Sequence, residues 1–267
     1  MSDKQPPATI TIPVDPYNPG EFFACCGLLE LAHRMSLTVS RALGWFEEFD
    51  GSHFQFSISA YASDGNIKLE SIVESLKHCA LSTTHHSKEG PIHIGAPFDI
   101  TIDCRSPFPQ NGMIKTFAGK QDLFEILQAL QHAVQHIHSK DVSYSNILRI
   151  RAETNKEVTA FGIEKAEKAI DAGFSMDEQK GRLSRQSLVF LELLALIGTQ
   201  RFCPSQGGDR LSRVYYTWQE PLPVPLAAIA VSSPVPGIHQ KGFIFQMYKR
   251  DPEGRYKGFA PARDNYK

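Results

Sequence analysis

Most of the features that would let a function be read directly are missing from this chain. No apolar run approaches the roughly 18 residues that a membrane-spanning helix needs. The opening MSDKQPPATI has neither the basic nor the apolar region of a secretory signal. Cysteine is scarce and irregular: Cys25, Cys26, Cys79, Cys104 and Cys203 are odd in number and form no zinc or disulfide framework. The expected location is therefore a reducing cytoplasm, with no membrane contact. There is no GxSxG, P-loop or GxGxxG, and FSISAYAS and SLVFLELL place no nucleophile at a tight turn. Internal repeats and low-complexity segments are lacking too.

What remains is an ordinary globular composition, 267 residues with 42% hydrophobic and 21% charged. That length suits one large domain or two modest ones. The expected division is an N-terminal α/β half over 1–110 and a helical and C-terminal β half over 111–267, packed as one compact unit. The net charge of −1 gives no reason by itself to expect a nucleic acid, but its distribution does. From Lys180 to Lys267 the chain carries +7, and from Met1 to Gln179 it carries −8. A basic C-terminal third suits a polyanion on that side, with solvent or protein on the other.

Periodicity supplies the elements. ATITIPVD (Ala8–Asp15) alternates as a strand, and a helix is predicted from Pro19 to about Met35, with Asn18 and Glu21 as a capping box and Pro19 at its first position. FQFSISAY reads as a strand, IKLESIVESLKHCAL as a helix and PFDITID as a third strand. KQDLFEILQALQHAVQHI is a clear amphipathic helix with a stripe of Leu123, Leu127, Leu130, Val134 and Ile137. NILRIRAE is strand-like, and RQSLVFLELLALIGTQRF is apolar nearly all round, as a central buried helix should be. VYYTWQEPLPVPLAAIAV and GFIFQMYKR read as closing strands, the first restricted to an edge or a broken path by Pro221, Pro223 and Pro225. The tail from Asp251 is polar and extended. The predicted class is α+β, with ferredoxin- or RRM-like β-α-β units, a central buried helix and additional C-terminal strands.

Two histidine clusters invite a metal. His78, Cys79, His85, His86 and His93 follow no established ligand spacing, and His132 and His136 share a helix face with His138 just beyond. Solvated or capping histidines account for both, and neither a metal nor any other cofactor is expected. Cys25 and Cys26 lie among Phe22, Phe23, Leu28 and Leu29, which suits inert core thiols, so no catalytic residue is assigned. The basic turns are more informative. NGMIKTFAGKQD sets Lys115 and Lys120 around an aromatic at a helix start, with Gln121 beside them. QKGRLSRQS and GTQRFCPSQGGDRLSR present Lys180, Arg182, Arg185, Arg201, Arg210 and Arg213, followed at once by Tyr215, Tyr216 and Trp218. Cations interleaved with aromatics suit a nucleic-acid backbone and its bases; the aromatics equally suit a half-buried strand.

IPVDPYNPGEFFACCGLLELA, GWF, PFDITID followed by IKTFAGKQ, DAGFSMDEQ, LELLALIGTQRFCP and YTWQEPLPVPLAAIA, in that order, resemble one family. It is the compact "Cas-eight-like" large subunit, also called the third Csb protein, of type I-G (formerly I-U) CRISPR–Cas effector complexes. The resemblance implies a non-enzymatic subunit of a surveillance complex (Cascade). Such a subunit contacts the 5′ handle of guide RNA and target double-stranded DNA near the protospacer-adjacent motif. It also meets other Cascade subunits and helps recruit the helicase–nuclease. Lys115, Lys120, Gln121, Arg182, Arg185, Arg201, Arg210 and Arg213 are the expected contacts. An RRM-like backbone or capping subunit that grips only guide RNA is one alternative. A hydrolase or nuclease using Cys25 or the His85–His86 loop is another.

Overall fold

A computed structural model describes residues 5–36, 42–49, 54–63, 65–83, 91–102, 123–137, 143–154, 174–177, 182–249 and 257–265. The fold is α+β. Strand β1 (Ile10–Val14) alternates buried and exposed residues without a break, and α1 (Pro19–Met35) follows. The Asn18 side chain caps α1 by accepting from Gly20 N at 2.9 Å, and Pro19 occupies the first turn, where its missing N–H leaves no bond unmade. The capping box does not close. Glu21 Oε2 instead accepts from the Asp15 amide at 2.8 Å, and Oε1 pairs with Arg149 at 2.9 Å. The carboxylate is buried and takes the partners that a buried charge requires.

Next come β2 (Leu43–Glu48), β3 (Phe54–Ser59), a small hairpin of β4 (Tyr61–Ala62) with β5 (Gly65–Asn66), and α2 (Leu69–His78). A three-stranded antiparallel sheet follows, of β6 (Leu81–Thr83), β7 (Ile92–Ile94) and β8 (Ile100–Ile102). Helix α3 (Leu123–Gln135) buries Leu123, Leu127, Leu130 and Val134, with Ile137 packed beside them, as the stripe predicted.

NILRIRAE departs from the strand expected of it. Tyr144–Arg149 forms a 3-10 turn, and only β9 (Arg151–Glu153) is extended. Adjacent Ile147 and Leu148 are both buried, which one face of a strand does not permit and a helical turn does. RQSLVFLELL splits likewise: β11 (Arg182–Leu188) pairs with β9 and with β10 (Phe174–Asp177), and the buried helix α4 runs Val189–Thr199.

The C-terminal part holds β12 (Ser205–Gln206), β13 (Ser212–Trp218), β14 (Leu222–Pro223), α5 (Val224–Ser232), β15 (Gln240–Lys249), β16 (Lys257–Phe259) and β17 (Arg263–Asp264). VPLAAIAV is thus a helix and not a closing strand. Its proline sits in the first turn of α5, where no N–H is needed, and three alanines favour the rest. The expected strand GFIFQMYKR is β15, antiparallel to β13 from Ser212↔Gln246 to Trp218↔Gln240.

One sheet has the order β1-β3-β2-β14 and another β12-β13-β15-β16, with β17 also on β15. The order β1-β3-β2, with β3 antiparallel to both neighbours, is that of a split β-α-β unit. A strand on the other side of β1, which would complete a ferredoxin-like sheet, is not among the described strands; the fourth strand is β14, beside β2. At the centre α1 crosses α4 with the two backbones touching. A Cβ on Gly27 would stand 2.0 Å from Leu194 O, and one on Gly198 2.0 Å from Phe23 O. The two glycines therefore set the spacing of the pair.

Aromatic packing joins the two large sheets. Tyr215 of β13 stacks on Phe22 with centroids 4.3 Å apart and donates its hydroxyl to Pro16 O. Trp218 Nε1 donates to Gly44 O at 2.6 Å and meets Phe46 edge-on. At the rim, Tyr17 donates to Asp264 of β17 at 3.0 Å. Lys241 pairs with Glu48 at 3.1 Å beneath the Phe54 and Phe243 rings. Among the described residues no helix is long and apolar enough to cross a membrane.

Candidate nucleic-acid interface

The expected contacts fall into three groups. Lys115, Lys120 and Gln121, with the whole Asn111–Asp122 loop, lie outside the described residues, as does Lys180. Arg182 and Arg185 belong to β11, in register with Asp177 and Phe174 of β10. Arg201, Arg210 and Arg213 have defined surroundings, and each differs from the others.

Arg201 follows α4 and reaches back to α1. Its Nε lies 2.7 Å from Glu30 Oε2 and its Nη2 3.1 Å from Oε1. Arg34, one turn beyond Glu30 on α1, brings its own Nε to 2.8 Å from the same Oε1. Arg34 Nη1 also donates to Asp99 O at 3.2 Å. The Glu30 side chain is 4% exposed, whereas those of Arg34 and Arg201 are 32% and 38% exposed. One buried carboxylate thus anchors two guanidiniums whose outer edges meet water. A single arginine would neutralise Glu30, so the cluster carries a surplus positive charge on its solvent side. Composition did not single out Arg34. The signal was the Glu-x3-Arg spacing in the last turns of α1, which puts both residues on one helix face.

Arg210 and Arg213 sit in the β12–β13 hairpin, whose turn is built on Asp209. Asp209 Oδ1 accepts from the Leu211 and Ser212 amides at 2.8 Å each, and Oδ2 accepts from the Ser212 hydroxyl at 2.5 Å. These bonds, the Ser212 hydroxyl first among them, hold the Asp209 carboxyl below its usual range. Arg210 is exposed at the tip, beside a Gly208 with open space around it. Arg213 turns inward and is 5% exposed. Its Nη1 donates to Arg210 O at 2.9 Å and to Ser212 O at 2.8 Å. Burial pulls the Arg213 pKa down, with Asp209 opposing. To meet a phosphate, Arg213 would have to abandon both carbonyls; in this arrangement it braces the turn that displays Arg210.

The aromatics beyond the hairpin take the other option left open for them. Tyr215 and Trp218 are fully buried and Tyr216 is half-buried, so β13 offers the first two to the core and not to bases. Basic and aromatic letters interleave in the sequence, but here Arg210 is exposed and Tyr216 half-buried, while Arg213, Tyr215 and Trp218 are buried.

Cys25, Cys26 and Cys79 are buried and Cys203 is half-buried, while Cys104 lies outside the described residues. Burial pushes Cys25 and Cys26 well above the ordinary thiol range, and the neighbouring Cys26 and Glu21 add to the effect on Cys25. Burial raises Cys79 and Cys203 as well. In the native protein a disulfide reagent such as dithiobis(nitrobenzoate) is expected to label half-buried Cys203 before Cys25 and Cys26, which react only as the fold opens. Fast, pH-dependent labelling of Cys25 would support the nucleophile reading. His85, His86 and His138 lie outside the described residues. Among the described residues no group of three or more His, Cys, Asp or Glu is arranged around a common point that would hold a metal.

Set against family models, curated proteins and solved structures, the chain matches none of them.

Proposed function

We propose that this chain is a non-enzymatic subunit of a type I CRISPR RNA-guided surveillance complex. It contacts the 5′ handle of guide RNA and target double-stranded DNA near the protospacer-adjacent motif, and it helps recruit the helicase–nuclease. Beyond the ordered resemblance of its segments to the compact large subunit, one observation supports the reading. Arg34 and Arg201 converge on buried Glu30 and present more positive charge outward than Glu30 cancels. Phosphate oxygens suit guanidinium edges held from behind, because little side-chain freedom then has to be given up on binding. Arg210, exposed at the tip of the turn built on Asp209, adds a further cation.

The test is equilibrium binding of the assembled complex to target DNA over a range of salt concentrations. Arg201→Ala leaves Glu30 paired with Arg34, so the fold should persist. The variant should flatten the negative slope of log K against log salt by about 0.9 for each phosphate it no longer neutralises, and Arg210→Ala should do the same. Slopes identical to wild type in both variants would remove these residues from the interface. Failure of the chain to co-purify with partner subunits and a discrete guide-length RNA would overturn the assignment itself. Crosslinking to labelled guide and labelled target in separate experiments distinguishes a subunit that meets DNA from one that grips guide RNA alone.

A further inference from the structure

The exposed side of α3 carries a feature that this role does not use. His132 and His136 are one helical turn apart, both exposed, and their Nε2 atoms face each other at 3.0 Å. The rings meet edge to face, with centroids 4.3 Å apart. At that distance one ring must donate and the other accept, so a proton lies between two nitrogens that each carry a lone pair when deprotonated.

The opposite side of the helix is firmly held. Leu127, Leu130 and Val134 are fully buried. Gln131 Nε2 donates to Leu76 O at 2.9 Å and Cys79 O at 2.8 Å, Gln135 Nε2 donates to Lys77 O at 2.6 Å, and Lys77 Nζ donates to Ile137 O at 3.1 Å. The turn that bears the histidines is therefore anchored at both ends, and its two imidazoles start close to one another.

We infer that His132 and His136 form a two-imidazole chelate for a divalent transition metal of tetragonal preference, Cu(II) or Ni(II), with water in the remaining positions. On binding, the donating ring moves its proton through water to Nδ1, and the metal, about 1.3–1.5 Å to the side of the line between the nitrogens, takes both Nε2 lone pairs. With metal–nitrogen bonds of about 2.0–2.1 Å, a separation of 3.0 Å corresponds to an angle at the metal of about 91–97°. Neighbouring corners of a square-planar or octahedral shell have that angle. A tetrahedral zinc site would want the nitrogens about 3.3–3.4 Å apart. Imidazole suits these metals, and copper(II) stands highest in the general affinity order.

The test titrates the full chain with CuCl2, NiCl2 and ZnCl2 by calorimetry, and follows the visible absorption of copper. One Cu(II) per chain is expected, with its absorption moved to shorter wavelength by imidazole nitrogen. His132→Ala and His136→Ala should each weaken that binding about a hundredfold, because the second ring otherwise binds at high effective concentration. Both side chains are exposed, so circular dichroism of the metal-free variants should match wild type. Copper affinity equal to wild type in either variant, or no saturable one-to-one binding in the wild type, would overturn the site. Tighter binding of zinc than of nickel would overturn the assignment of metal class.

Discussion

Replacing Gly27 by alanine should destabilise the protein by about 3 kcal/mol, with Gly198→Ala close behind. Two effects oppose each other. Alanine is the better helix former by about 1 kcal/mol. Against that, the new methyl would meet Leu194 O at 2.0 Å, and no rotamer moves a backbone carbonyl out of its way. The helices must part by more than 1 Å to restore ordinary van der Waals spacing, which loosens the whole α1–α4 seam, so the packing loss dominates. For a protein of this size the melting temperature should fall by about 6–12 °C. In urea the midpoint should drop with little change in slope. The double variant should lose less than the sum of the two, since the first alanine already separates the helices. Gly208→Ala is the control: nothing stands within 4 Å of the added methyl, and the effect should stay within about 0.5 kcal/mol. If Gly27→Ala proves as stable as wild type, α1 and α4 do not meet carbonyl to Cα.

Glu30→Gln is expected to have the next largest effect, about 2 kcal/mol. Stripping one partner from a fully buried ion pair costs about 3–5 kcal/mol, and a smaller figure applies here because both arginines are about a third exposed and can rehydrate. Arg201→Ala should be milder, since Arg34 still pairs with the carboxylate. Measuring both variants and their combination isolates the coupling between α1 and the end of α4. The Glu30→Gln variant also separates stability from binding. It adds one positive charge to the cluster, so an Arg34–Arg201 surface that meets phosphate should bind nucleic acid more tightly in the variant even as the fold weakens. A purely structural cluster would lose on both counts.

The elements that sequence anticipates well are those governed by local chemistry. The start of α1 follows from Asn18 and Pro19, the stripe of α3 from its period, and β1 from strict alternation. The errors arise where distant partners decide. VPLAAIAV is β-branched and proline-punctuated enough to suggest a strand, yet its proline lies where a helix tolerates it best. Ile147 and Leu148 are consecutive and both needed in the core, so the chain turns there. Glu21 has the spacing of a capping box, but Arg149, far along the chain, competes for it. The candidate interface is less legible still. Arg210 and Arg213 are equivalent letters in a basic turn, and only the bonds of Asp209 separate the displayed guanidinium from the buried one. Arg34 carries no basic neighbourhood to draw attention to it; its importance comes from Arg201, brought beside it by helix packing.

The aromatic seam between Phe22, Tyr215, Trp218 and Gly44 imposes an order on synthesis. Helix α1 and strand β2 leave the ribosome early, whereas Tyr215 and Trp218, and then Asp264 for Tyr17, are translated 174 to 247 residues behind their partners. At about 5–20 residues per second, the nascent N-terminal segment waits about 9–50 s with its apolar faces uncovered. A product stopped before β13 is therefore not a smaller stable protein but one with an open, adhesive core. Apolar surface exposed in this way favours aggregation until β13 and β15 arrive to cover it.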